Sequence, residues 1–209
     1  MKKLFLSAVL FVIMYGCGGG SQTFLVEIST GTDDGHVSAL TKFLPDTAYG
    51  MILNNFEDMG VGVATSGGGD TLTSRVLYRF NLSDWENSNV VLHVYCTSII
   101  GQPGSVEVLV LNDFGSIPNS SGTQPEDVSQ WWFLVDSAEV AGEFTPEQGE
   151  WCSVSISSSL IETYISDNNY VGIILKLKNE DVGPNNLYQF ASYEYAESHN
   201  SEKPHIDWE

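Results

Sequence analysis

The sequence predicts an all-β protein, an antiparallel two-sheet β-sandwich of jelly-roll type with one short helix. Three observations carry this. Apolar and polar residues alternate over short runs: Val76, Tyr78, Phe80 and Leu82 share one parity and Arg75, Leu77, Arg79 and Asn81 the other, the pattern of a strand with one buried face. Clusters of Gly, Asn, Asp, Ser and Pro, the residues that favour turns, separate the runs. Strand and helix patterns do not alternate as a parallel βαβ sheet requires.

The N-terminus reads as an address. Met1-Lys2-Lys3 and the apolar run Leu4 to Tyr15 form the charged and hydrophobic regions of a signal peptide, too short for a permanent membrane span. Met14-Tyr15-Gly16-Cys17 resembles a bacterial lipobox, which implies lipidation of Cys17; a plain signal peptide cut nearby is the alternative. The plan is therefore 1–16 lipoprotein signal peptide, 17–22 lipidated cysteine and Gly-rich tether, and 23–209 sandwich domain. The expected location is the cell envelope, lipid-anchored at the outer membrane or cell surface in preference to the inner membrane.

Within the domain, Thr23 to Ile28 is the first expected strand, and Gly31 to Gly35 a turn before His36-Val37. Ala48 to Leu53 is extended, Val61 to Thr65 and Ser74 to Leu82 are strands, and Ser66 to Asp70 is the loop between them. Val90 to Cys96 and Val106 to Leu111 alternate cleanly around Gly101-Gln102-Pro103-Gly104 and read as a hairpin. Asn112 to Glu150 is the least regular stretch, with Trp131 to Val135 expected as a strand inside it. Trp151 to Ile156 is a strand. Ser159 and Glu162 have capping-box spacing, and Leu160, Ile161, Tyr164 and Ile165 have helical spacing, which gives the one helix. Tyr170 to Lys178, Leu187 to Tyr195 and His205 to Trp208 complete the strands.

Charge narrows the partners. The chain has 8 Lys+Arg against 27 Asp+Glu, a net charge of −19 that becomes −21 when Lys2 and Lys3 leave with the signal peptide. Nucleic acid and anionic lipid surfaces are therefore poor electrostatic partners. Such acidity serves solubility outside the cell or a structural Ca2+; the metal candidates are Asp33, Asp34, Asp46 and Asp70, in turn-rich segments without EF-hand spacing. Cys96 and Cys152 follow core-facing parities, and in an oxidising compartment a Cys96–Cys152 disulfide is favoured over two buried thiols. No His–Asn or Cys-x-x-Cys context suggests catalysis by either.

Taken in order, Asp34-Gly35-His36-Val37, Tyr49-Gly50, Ser74-Arg75 through Arg79-Phe80-Asn81-Leu82-Ser83, Val90 to Tyr95, Trp151 to Ile156, Asn169-Tyr170-x-Gly172-Ile173-x-Leu175, and Phe190-x-Ser192-x-Glu194 before Pro204-x-Ile206 resemble the DNRLRE domain family. The resemblance spans nearly the whole chain after the signal peptide, although the middle region has no clear Trp-Asn motif. It implies a jelly roll similar to carbohydrate-binding modules, including alginate-binding ones, on an exported protein.

Binding candidates follow from chemistry. Arg75 and Arg79, the two arginines, share a strand face. They either clamp carboxylates of an acidic polysaccharide or close bridges to internal acids such as Glu194. Exposed aromatics stack on sugar rings; Trp131, Trp132, Tyr193 and Tyr195 are candidates, each also able to serve as core. His93 and Tyr95 share the parity opposite the core. The expected function is a non-catalytic, lipid-anchored module that binds carbohydrate or another cell-surface polymer; the alternative is a structural surface lipoprotein. A polysaccharide lyase using Tyr, His and Arg on one sheet, or a glycosidase with two carboxylates, is third.

Overall fold

The computed structural model describes residues 23–120 and 124–209. The expected signal peptide, the expected lipidation site Cys17 and the expected tether lie outside the described residues.

Thirteen strands form among those residues: β1 Phe24–Glu27, β2 Asp34–Leu40, β3 Tyr49–Leu53, β4 Asp58–Thr65, β5 Thr71–Asn81, β6 Val90–Ile100, β7 Val106–Asn112, β8 Glu126–Asp127, β9 Glu139–Phe144, β10 Trp151–Ile156, β11 Tyr170–Leu177, β12 Asn186–Ala191 and β13 His205–Trp208. Three short helices join them, α1 Ser129–Trp132, α2 Ser158–Tyr164 and α3 Tyr193–His199, with 3-10 turns at Thr41–Phe43 and Phe133–Ser137. All strand pairs are antiparallel. Hydrogen bonding follows β1-β13-β6-β12-β4-β5-β11-β7-β9, with β10 on β6 and β2, β3 and β8 continuing from β5.

This path folds into the two expected layers. The front layer is β1, β13, the first half of β6, and β10; the back layer is β2, β3, β5, β7, β8, β9 and β11. Beyond Cys96, β6 pairs with β12, and β12 with β4, so these strands turn the corner between layers. Leu92, Val94, Val154, Ile206 and Trp208 from the front meet Val76, Tyr78, Phe80, Val108, Ile173 and Leu175 from the back in one buried cluster. Each such side chain contributes about 1.5–3 kcal/mol by leaving water. Val76, Tyr78, Phe80 and Leu82 are all in the core, as their parity predicts.

Four expectations are corrected. The β6 and β7 runs are not a hairpin: β6 pairs with β10, β13 and β12, and β7 with β11 and β9, so the Gly101–Gly104 connection carries the chain from one layer to the other. Alternation identifies a strand's faces but not its neighbour. Strand β5 is buried on both faces, because a second cluster, which includes Leu77, Leu109, Ile174, Val37, Ile117 and Trp132, covers the back layer's outer side. Much of the irregular stretch after β7 is that cover. Gly172 accommodates it, since a Cβ there would come within 2.8 Å of the Phe114 ring.

The third correction concerns helices. Trp131 to Val135 forms α1 and a 3-10 turn rather than a strand, started by Asp127, which accepts the Ser129 N–H at 2.9 Å. The strand expected through Tyr195 stops at Ala191; Ser192 accepts the Tyr195 N–H and caps α3, and Asn200 ends it in left-handed conformation. Helix α2 forms as expected, but its cap is Ser157. The fourth concerns the cysteines. Cys96 and Cys152 are buried free thiols, not a disulfide. Cys152 lies opposite Val94, so Cys96 is its diagonal neighbour, at a spacing of roughly 7–8 Å that exceeds disulfide reach. Burial raises both thiols, to about 12 for Cys96 and about 11 for Cys152.

Candidate functional site

Both arginines are closed inside the protein. Arg75 donates through Nε and Nη2 to the Glu180 carboxylate at 2.8 and 2.7 Å, through Nη1 to the Trp132 carbonyl at 2.8 Å, and lies 3.7 Å over the Trp132 ring. Arg79 donates to both Asp113 oxygens at 2.6 and 3.0 Å and to Asp33 at 3.0 Å, and covers the Tyr170 ring. The hydrogen bond from Arg79 holds the Asp113 carboxyl at about 2. The internal-bridge reading is therefore correct in kind, with Glu180, Asp113 and Asp33 in place of Glu194. The guanidinium forks are occupied and do not form a ligand clamp.

The same contacts remove most of the metal candidates. Asp33 accepts from Arg79, Ser29 and Thr30. Asp70 holds Lys42 at 2.8 Å, and Asp46 lies exposed in a turn. Asp34 is fully buried on the core side of β2 and accepts the Tyr193 N–H at 2.6 Å, which ties β2 to the start of α3. Burial drives its carboxyl up to about 8, with Glu194 and Asp33 adding repulsion. Among the described residues, no three His, Cys, Asp or Glu side chains gather in a way that could hold a metal ion.

The front layer's outer face is different. In β10, Cys152, Val154 and Ile156 point inward, so Trp151, Ser153 and Ser155 point outward. Cross-strand partners share a face, which places Tyr95 beside Trp151, and His93 between Ser153 and His205. The rings are close: Tyr95–Trp151 5.5 Å between centroids, Trp151–His205 5.3 Å, and His93 stacked on His205 at 4.6 Å. Helix α3 adds Tyr195, 6.3 Å from Tyr95 and stacked on His199 at 4.1 Å. Between strands and helix lies a cleft of about 460 Å³, lined by Tyr95, Trp151, Tyr195, His199, Ser201 and Glu202. Second contacts fix His93, whose Nδ1 meets Ser153 Oγ at 2.8 Å and whose Nε2 lies 3.3 Å from Asp207.

Of the eight ligand candidates, the fold thus assembles His93, Tyr95 and Tyr195. Trp132 is buried beneath Arg75, Trp131 packs edge-on against Phe114, and Tyr193 lies under the Lys203 ammonium. Trp151, the largest ring of the cleft, was not among them, although the inward parity of Cys152, Val154 and Ile156 marks it as outward-facing. A lyase set of Tyr, His and Arg is also broken up, because His93 and Tyr95 lie on the front face and Arg75 and Arg79 on the back. No protein-family model and no curated protein matches this chain.

Proposed function

We propose that this protein is a non-catalytic carbohydrate-binding module, exported and held at the cell envelope by a lipid on Cys17. The observation that carries the reading is the cleft of Tyr95, Trp151 and Tyr195 on the front face. Sugar rings present apolar C–H surfaces that stack on flat side chains, and half-exposed aromatics bordered by polar groups suit that contact. The resemblance to DNRLRE domains supports the same reading. Its acidic-polysaccharide form loses its support, since Arg75 and Arg79 have internal partners.

Affinity electrophoresis of the purified chain through gels containing different polysaccharides tests the reading. Retardation is expected in at least one gel and is lost in Trp151→Ala, whose melting temperature stays close to that of the parent. Unretarded migration in every gel overturns the proposal and leaves a structural surface lipoprotein, a reading favoured by the closed back face.

A further inference from the structure

The distribution of charge around the cleft points to the kind of glycan. Among the described residues every lysine and arginine holds a carboxylate: Lys42 with Asp70, Arg75 with Glu180, Arg79 with Asp33 and Asp113, Lys176 with Glu107, Lys178 with Glu143 and Lys203 with Glu197, all at 2.6 to 3.0 Å. The protein therefore offers no unpaired ammonium or guanidinium there to receive a uronate or sulfate. Its acidic surplus remains, and part of it borders the aromatic cleft.

Glu202 lines the cleft itself. Glu147 and Glu150 line a second depression that also borders Trp151. None of these three carboxylates belongs to an ion pair among the described residues. Asp58 and Glu57 act on Tyr195, whose hydroxyl is held above its ordinary range by burial first, then by Tyr95 and these two carboxylates. The faces of Trp151, Tyr95 and Tyr195 carry the negative side of their ring quadrupoles, which attract cations as the carboxylates do.

We infer that the cleft between Tyr95, Trp151 and Tyr195 takes a glycan bearing free amino groups, a de-N-acetylated hexosamine polymer, in preference to a neutral or acidic one. This rests on the carbohydrate-binding reading. One sugar face stacks on Trp151, and the protonated amine is drawn toward the ring faces and Glu202. An N-acetylated sugar keeps the stacking and loses the charge term. A uronate meets the Glu202 carboxylate, with no unpaired lysine or arginine among the described residues to offset the repulsion. The negative field also raises the encounter rate for a cationic polymer, an effect that falls with salt.

Titration calorimetry with the full chain separates these terms. The probes are glucosamine oligosaccharides, N-acetylglucosamine oligosaccharides of equal length, and oligouronates, at a pH where the sugar amines are protonated. At low salt the amine-bearing oligosaccharide is expected to bind roughly three- to tenfold more tightly than the N-acetylated one, with no uronate binding. The advantage shrinks toward equality at about 0.5 M salt. Glu202→Gln lowers the ratio of the two affinities toward one, and Trp151→Ala abolishes binding of both.

Equal binding of the two hexosamine oligosaccharides at low salt, or binding of the uronate, overturns the amine preference while keeping the carbohydrate module. Amine binding that survives Trp151→Ala also overturns it, because the polymer is then held by general acidity rather than by the cleft. Failure of every oligosaccharide to bind sinks the module reading together with the preference.

Discussion

The outer face of the back layer and the outer face of the front layer are both strand surfaces with aromatic and ionisable side chains, yet only one is covered. On the back, Leu77 is 0% exposed and Arg75 7%, under a cover fastened by ion pairs to Glu180 and Asp113. On the front, Tyr95 and Trp151 are half-buried beside α3, with a cleft between them. An arginine on a strand face is thus a poor marker of a binding site in a chain with so many carboxylates, because a distant acidic residue can reach it. An aromatic is a better one when its strand neighbours face the core.

The sharpest way to break this comparison is to cut the fastening on the back. Arg79→Ala leaves Asp113 and Asp33 without their cation in a largely buried site. It is expected to cost about 3–5 kcal/mol in urea denaturation and to leave the gel retardation proposed for the front cleft unchanged in the surviving folded fraction. A loss below about 1 kcal/mol would show that the back face is not held by this bridge. Leu77→Ala, at a nominally outward position, is expected to cost about 2–5 kcal/mol, as a core deletion does. The corresponding outward change on the front, Ser153→Ala, is expected to stay within about 0.5 kcal/mol.

The pH dependence of stability should separate two carboxyls of opposite sign. Asp34 has its folded value raised to about 8, so the folded state retains a proton that the unfolded chain releases near 4. Its contribution therefore favours folding below that lower range and is lost as pH rises from about 4 to 8. Asp34→Asn should flatten this decline, by an amount on the order of a few kcal/mol, in melting curves taken across the window. Asp113, held at about 2, behaves in the reverse sense: its stabilisation is present above about 4 and is lost as pH falls through about 2. Unaltered pH profiles in Asp34→Asn and Asp113→Asn would show that neither group is set as its surroundings require. A comparably small effect is expected from Lys42→Ala, whose exposed pair with Asp70 should change stability by about 0–1 kcal/mol.

The sandwich was legible because its signal is local. Alternation in Val76 to Leu82, in Val90 to Cys96 and in Cys152 to Ile156 states which side of each strand is apolar, and burial follows. What alternation omits is the partner across the hydrogen bonds, which is why β6 and β7 read as a hairpin. The arginine partners Glu180 and Asp113 lie 105 and 34 residues away in sequence, and no spacing rule reaches them. Tyr193 to His199 illustrates a different failure. Its aromatic residues suit a strand, but Ser192 supplies a cap and Glu194, Ala196 and Glu197 favour a helix. The cleft is half legible: parity marks His93 and Tyr95 as outward-facing, and it marks Trp151 in the same way, whereas the more conspicuous Trp131-Trp132 pair lies in the cover of the back layer.

The ends of the hydrogen-bonded path carry one more consequence, for self-association. A sheet edge is a template for another chain, and long flat edges seed aggregation. Here β1 is four residues long, β8 is two residues with both side chains acidic, and β9 carries Glu139 and Glu143 with a register shift opposite Val108 and Leu109. A neighbouring copy meets short templates, broken spacing and like charge at these borders. A chain whose regular structure is mostly strand can thus be concentrated while these borders give another copy little to extend.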